Sequence, residues 1–415
     1  MKKIFPHFLI TFLMLGCLTS SGCTNDKEEP APAPKPPLPY KINLVWQHDN
    51  KPDVDLSALD KVPGVNVVSP CWYEIENEFG KIKDKSVDGY VERAHAKGYQ
   101  VWPLITNGFK PDRTKKILDD ENARKFVIEQ LRQQYRKHKF DGINLDFEHI
   151  YEADKDRITE FVKQIRRATQ QDNLILSMDV TVPKGSPNWS LCFDRKALAE
   201  HLDYMMVMAY DQFSGASPVA GPTAAYDWVE KGIKNTLEEV PVHKVVLGIP
   251  LYMRLWHYDN DKKRFFAKTL SMPQAEKLIE EKKNDETFRC RWLEKEKVTY
   301  VSYMENDVPY SFWQEDKRSL EQKMGLIKTY NLAGVASWRY GFEKPEVWPM
   351  LEESLKTDRK SAGWFRSSDP FPNFTENLAL WGTGDAKTRY IDDCPIGVKP
   401  VAGFDRNYLA TINMR

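Results

Sequence analysis

From Tyr40 onward the chain alternates short apolar runs with longer stretches of helical period, and this alternation limits the fold more than any other feature. Short runs rich in Val, Ile and Leu read as strands buried on both faces, the kind found in parallel sheets. Parallel neighbours need long crossovers, which are usually helices. Eight runs qualify: Ile42–Trp46, Val65–Val68, Gln100–Ile105, Gly142–Phe147, Leu174–Val182, Tyr204–Ala209, Val245–Pro250 and Gly334–Trp338. Between them, Asp120–Lys137, Asp154–Thr169 and Tyr226–Val240 place apolar residues at helical spacing. Eight such units predict an α/β fold, a (β/α)8 TIM barrel over residues 40–357. One connection is too long for a plain crossover. Between strands seven and eight, residues 257–316 hold an amphipathic stretch at Pro273–Lys282 and a strand-like run at Lys297–Tyr303. They predict a small α+β insertion that walls the catalytic face, ahead of a helix at Ser319–Tyr330.

The fourth run carries the chemistry. Asp141–Glu148 reads DGINLDFE, and successive side chains of a strand point to opposite faces. Ile143, Leu145 and Phe147 fall on one face and suit packing against helices. Gly142, Asn144, Asp146 and Glu148 fall on the other, inside the barrel, climbing toward the strand's C-terminal end. That end is where barrels keep their active sites. Two acids buried near each other resist double ionisation, so one of them should keep a proton near neutral pH.

Composition excludes some partners. The 60 basic and 60 acidic residues cancel, which leaves no global field for capturing nucleic acid. The 12 Trp and 18 Tyr supply flat faces that serve core packing or sugar rings equally well. Cys71, Cys192, Cys290 and Cys394 are scattered without metal-ligand spacing; buried free thiols are the default reading, and pairing in an oxidising exterior is the alternative.

The ends differ from the middle. Lys2 and Lys3 precede the apolar run Phe8–Leu15, and Ser21-Gly22-Cys23 follows. Residues 1–23 therefore read as a lipoprotein-type export signal with Cys23 as the lipidated residue, although Ser20 stands where such signals usually carry Leu. Cys17 offers a second cleavage point, and plain secretion without lipid is the alternative. Residues 24–39, TNDKEEPAPAPKPPLP, form a Pro/Ala-rich tether. The expected location is the outer face of a cell membrane, reached through the lipid anchor, with the protein a monomer. Residues 358–415 are rich in Gly, Pro, Asp and Asn, lack helical period, and read as an appendage.

DGINLDFE resembles the D-G-x-D-x-D-x-E signature of glycoside hydrolase family 18, which contains chitinases and endo-β-N-acetylglucosaminidases. Met206–Asp211 (MVMAYD), Leu247–Tyr252 (LGIPLY) and Gly334–Arg339 (GVASWR) are similar to that family's sixth, seventh and eighth strands, in order. Met208–Trp228, Gly248–Trp256 and Ala333–Glu343 resemble most closely the bacterial branch with spore-cortex-lytic N-acetylglucosaminidases. The resemblance implies retaining, substrate-assisted hydrolysis of β-1,4 links beside 2-acetamido sugars, with no metal and no cofactor. It implies Glu148 as acid and base, Asp146 as the group that orients the acetamido N–H, and Tyr210 as the phenol on the acetamido oxygen. Trp338 would floor the sugar at the cleavage point, and Asp211 would contact substrate or buffer the acid. Tyr252 and Arg254, just past strand seven, are candidate groove residues, while Met206 and Met208 read as barrel filling.

One position departs from the signature. Asn144 stands where the family carries Asp, and it is expected to act as a fixed hydrogen-bond partner near the substrate. With one charge fewer, Asp146 is expected to ionise more readily and the pH optimum to move. Both chitin-type and peptidoglycan glycans carry the required 2-acetamido group, and an exported tether favours the cell-wall glycan. The rival reading is a glycan-binding, lectin-like barrel that has lost catalysis.

Overall fold

The computed structural model describes residues 40–356. The leader with Cys17 and Cys23, the tether 24–39, the appendage 358–415 and Cys394 lie outside the described residues.

Eight parallel strands close into a ring: Ile42–Gln47, Val67–Ile75, a third in two pieces (Gln100–Val101 and Leu104–Thr106), Gly142–Asp146, Ile175–Thr181, Tyr204–Met208, Val245–Pro250 and Gly334–Trp338. Each pairs with its successor, and the eighth returns to the first with Gly334 opposite Ile42. The third strand breaks at Trp102–Pro103, because proline has no N–H for the ladder. The fold is the (β/α)8 barrel that the alternation predicts.

Strand parity sorts the apolar residues into two cores. Ile42, Leu44, Trp46, Trp102, Leu104, Tyr204 and Met206 fill the barrel interior. Their outward neighbours, among them Ile143, Leu145, Phe147, Leu176 and Met178, pack under the helices. Trp102 and Tyr204 stack at 5.8 Å across the interior. The plug leaves no room at Gly142, where a Cβ would sit 2.8 Å from Trp102 and 2.9 Å from Ile175. Apolar filling below and open space above confine the polar layer to the C-terminal half of the ring.

The helices start where their caps dictate. Asp120 Oδ1 accepts the N–H groups of Asn122 and Ala123 at 2.8 and 3.4 Å, so the helix runs Glu121–His138 with Asp120 outside it. Asp316 and Ser319 form a reciprocal cap that starts the next helix at Lys317, two residues before the expected Ser319. The helices Lys155–Gln170 and Tyr226–Leu237 match their periodic stretches closely. The first crossover, 48–66, holds only turns.

The insertion is larger than its helix and single strand-like run indicate. Five antiparallel strands form one sheet, in the order Arg264–Ser271, Tyr252–Asp259, Val308–Gln314, Val298–Glu305, Arg289–Leu293, beside the helix Met272–Lys282. Its first strand begins at Tyr252, one residue after the seventh barrel strand, so no polar break marks the join. Charged residues such as Arg264, Lys268 and Arg291 alternate with apolar ones, which dilutes the strand pattern in the sequence.

The seam that closes the ring is tight. A Cβ on Gly334 would lie 2.1 Å from the Ile42 carbonyl oxygen. Gly334→Ala is therefore expected to destabilise the barrel by about 1–3 kcal/mol, read as a lower urea midpoint with unchanged slope. An unchanged midpoint would contradict this account of closure.

Candidate active site

At the C-terminal mouth of the ring lies a cavity of about 600 Å³, whose lining includes Asp146, Glu148, Tyr210, Asp211, Tyr252 and Trp338. These residues come from the ends of the fourth, sixth and eighth strands and the start of the insertion, and the ring brings them together. Asn144 and Arg254 are not among the lining residues.

Glu148 stands just past the fourth strand, with its backbone clamped by Asn107 from the end of the third. Its N–H donates to Asn107 Oδ1 at 3.2 Å, and its carbonyl accepts from Asn107 Nδ2 at 2.7 Å. Burial, and then the negative charge of Asp211, push the Glu148 carboxyl up to about 7. A carboxyl with that pKa can both give and take a proton at neutral pH.

Asp146 lies one step inward and is buried, with Oδ1 lacking any hydrogen-bond partner. Burial, the charge of Glu148 and the charge of Asp179 hold its carboxyl well above the usual range. The expectation that Asn144 makes Asp146 easier to ionise than an Asp at that position would leaves out a neighbour that the structure supplies. The fifth strand supplies Asp179, a carboxylate outside the fourth-strand motif, so the charge that Asn144 removes is replaced from next door. Asn144 itself is wholly buried and takes no place at the cavity wall. It is a structural hub rather than a substrate contact. Trp46 Nε1 donates to its Oδ1 at 2.8 Å, and its Nδ2 donates to Asp179 Oδ1 at 2.8 Å.

Tyr210, past the sixth strand, is buried and meets Tyr252 edge-on at 6.4 Å. Burial and the carboxylates Asp179, Asp146 and Glu148 raise its pKa, which keeps it a neutral phenol able to donate. Asp211 adopts a left-handed φ of 54°. Its Oδ1 accepts from Tyr252 Oη at 2.7 Å and from Arg254 Nε and Nη2 at 3.2 and 2.6 Å. Arg254 thus acts on the site through Asp211. Trp338 ends the eighth strand, tilted against Trp46 at 5.8 Å and meeting His48 edge-on. Met208 lines the cavity while Met206 fills the interior core.

Several lining residues were not read as site residues from the sequence: Asp179 and Thr181 on the fifth strand, Cys71 and Tyr73 on the second, Phe109 in a turn and Trp189 in the short helical turn Pro187–Leu191. The fifth strand reads LSMDVT around Asp179, and the parity used on the fourth would have turned Ser177, Asp179 and Thr181 inward. Phe109 lies in a turn and Trp189 in a helical turn of five residues, both too short for a period to show. Cys71 and Cys192 carry free thiols, Cys192 buried as expected and Cys71 half-buried. Among the described residues, no group of three or more His, Cys, Asp or Glu side chains is placed to hold a metal ion.

Comparison with known proteins agrees with this geometry. A family model described as Glycosyl hydrolases family 18 matches residues 85–343. The chain is 24% identical over 302 residues to the uncharacterized glycosylase YvbX of Bacillus subtilis, covering 70% of this chain and 85% of that protein. It is 26% identical over 276 residues to the cortical fragment-lytic enzyme of Bacillus subtilis, covering 62% of this chain and 61% of that enzyme. The match thus spans less than two thirds of the second relative. Among solved structures, the spore cortex-lytic enzyme SleL of Bacillus megaterium superposes with a TM-score of 0.67 at 22% identity, over 78% of this chain and 76% of that one. At that identity the likeness is one of fold.

Two consequences follow for Glu148. Replacing Asp211 by Asn keeps acceptors for Tyr252 and Arg254 but removes the nearby charge. The Glu148 carboxyl should then titrate below 7, yet above the ordinary carboxylate range because burial persists, as read by carboxyl carbon NMR. The linkage runs in a definite direction. The folded pKa lies above the unfolded one, so this group's contribution is intact below about pH 4.5 and lost as pH rises through 7. Glu148→Gln should match the wild type in stability near pH 4 and exceed it near pH 8, by no more than about 3 kcal/mol. Equal thermal midpoints at both pH values would refute the raised pKa.

Proposed function

The chain belongs to glycosyl hydrolases family 18 and is a glycoside hydrolase acting on glycans, and from that premise we propose that it cleaves β-1,4 linkages beside N-acetylglucosamine-type sugars with retention of configuration. The observation that carries this reading is the Glu148 carboxyl, raised to about 7 at the mouth of the cavity and adjacent to buried Asp146.

In the proposed reaction the sugar at the cleavage point lies on Trp338. Its 2-acetamido oxygen attacks the anomeric carbon, while Glu148 protonates the departing glycosidic oxygen. The acetamido N–H donates to Asp146, whose negative charge balances the positive charge that develops on the oxazolinium-type intermediate. The Tyr210 phenol donates to the acetamido oxygen and aligns it for attack. Glu148, now a carboxylate, takes a proton from water as the water opens the intermediate from the face the leaving group occupied. Asp211, fixed by Tyr252 and Arg254, keeps Glu148 basic enough to recover its proton.

The favoured substrate is peptidoglycan rather than chitin. This rests on the expected export signal and tether, with Cys23 as a lipid anchor, and on the likeness to enzymes named for cortical fragments. The site works at the outer membrane face or, without lipid, as a secreted enzyme.

The test uses purified peptidoglycan and chitin hexamer side by side. The wild type should release reducing ends from peptidoglycan faster than from chitin, with products whose new anomeric centre is first β. Glu148→Gln should lower turnover by about 10²–10⁴-fold while glycan binding persists. Binding by the wild type with no reducing ends released would assign the barrel to a lectin and overturn the proposal.

A further inference from the structure

The fifth strand supplies a carboxyl whose place is set by an amide that cannot turn over. The indole Nε1 of Trp46 can only donate, and it points at Asn144 Oδ1 from 2.8 Å. Ser69 Oγ reaches the same oxygen at 3.4 Å. The amide nitrogen must therefore face the fifth strand, where it donates to Ser177 Oγ at 3.2 Å and to Asp179 Oδ1 at 2.8 Å. Leu145 and Met178 are in register across the two strands, so Asp146 and Asp179 are the next opposed pair, both turned inward and both at the cavity. Asp179 is 2% exposed, and Asp146 Oδ1 is buried without a partner. Two carboxyls so placed resist ionising together.

We infer that Asp146 and Asp179 share one proton across the fourth and fifth strands, and that Asp179 is the positioning residue that holds this proton when Asp146 receives a substrate N–H. The inference rests on the hydrolytic reading above and deepens it.

The sequence of events conserves charge. In the free site the Asn144 N–H favours an ionised Asp179, so the proton resides on Asp146. When an acetamido N–H enters, it favours an ionised Asp146, and the proton passes from an Asp146 oxygen to an Asp179 oxygen. The pair carries one negative charge before and after, so the cavity never accommodates a second buried charge. The groups facing Asp179 are Asp146 and Glu148 from the fourth strand, Cys71 from the second and Tyr210 beyond the sixth. Burial raises Cys71 and Tyr210, which leaves both neutral. The arrangement also accounts for Asn144. An Asp there would set a third carboxyl 2.8 Å from Asp179.

The test titrates Asp146 and Asp179 by carboxyl carbon NMR in the wild type, in Asp179→Asn, and in the double variant Asn144→Asp/Asp179→Asn, with kcat/KM profiles alongside. The wild type should show two linked steps. In Asp179→Asn, Asp146 should titrate in one step between the two linked steps of the wild type, and the acid limb of kcat/KM, which in the wild type follows the lower step, should move up by about one pH unit or more. The double variant, which returns the second carboxyl to the fourth strand, should move that limb back, a rescue that loss of packing alone does not produce. Independent single-step titrations of Asp146 and Asp179 in the wild type would overturn the inference, even if neither variant folds. An unchanged acid limb in Asp179→Asn, or no recovery in the double variant, would also overturn it. Linked titration in a wild type that releases no reducing ends would uphold the pair and reject the hydrolytic reading instead.

Discussion

Everything at the site depends on the closure of a ring of eight parallel strands. Closure forces every second residue of each strand into a space with no exit except its two ends. Trp46, Trp102, Tyr204 and Met206 fill the lower part, so water reaches the inward residues only from the C-terminal mouth. Carboxyls placed just above that apolar floor lose most of their hydration. That loss is the first cause of the raised pKa at Asp146, Glu148 and Asp179 alike.

The carboxylates around the cavity divide into two groups with different chemistry. At the rim, Asp49 pairs with Arg339 at 3.2 Å and Asp211 with Arg254 at 2.6 Å. Each of these faces a guanidinium. Deeper down, the influences on Asp146, Glu148 and Asp179 are burial, one another, neighbouring Asp211 and the Asn144 amide, with no cation among the causes. These groups compete for protons. A site built this way combines fixed negative charge with available protons at one pH, which acid-base catalysis requires.

The insertion contributes through its root. Tyr252 and Arg254 lie at the beginning of its first strand and converge on one oxygen of Asp211, whose left-handed backbone turns it toward them. The Leu251 N–H donates to the Trp338 carbonyl at 2.7 Å, tying the same junction to the eighth strand. The join between barrel and insertion therefore sets the charge that tunes Glu148, although neither Tyr252 nor Arg254 needs to touch the reacting atoms.

Much of this was legible in the sequence because it depends on local period. Alternation of strands and helices specified the barrel, and two-residue parity alone turned Asn144, Asp146 and Glu148 inward while sending Ile143, Leu145 and Phe147 out. The caps at Asp120 and Asp316 moved helix starts by a residue or two. The tertiary structure decided what no local period contains. It placed Asp179 beside Asp146, because the register between adjacent strands is set by closure of the whole ring. That neighbour adds a carboxyl that the fourth-strand motif does not contain, and Asn144 proved to be a buried hub fixed by Trp46 from the far side of the barrel. A sequence lists which acids face inward. Their pKa values depend on distances between strands that only the closed fold establishes.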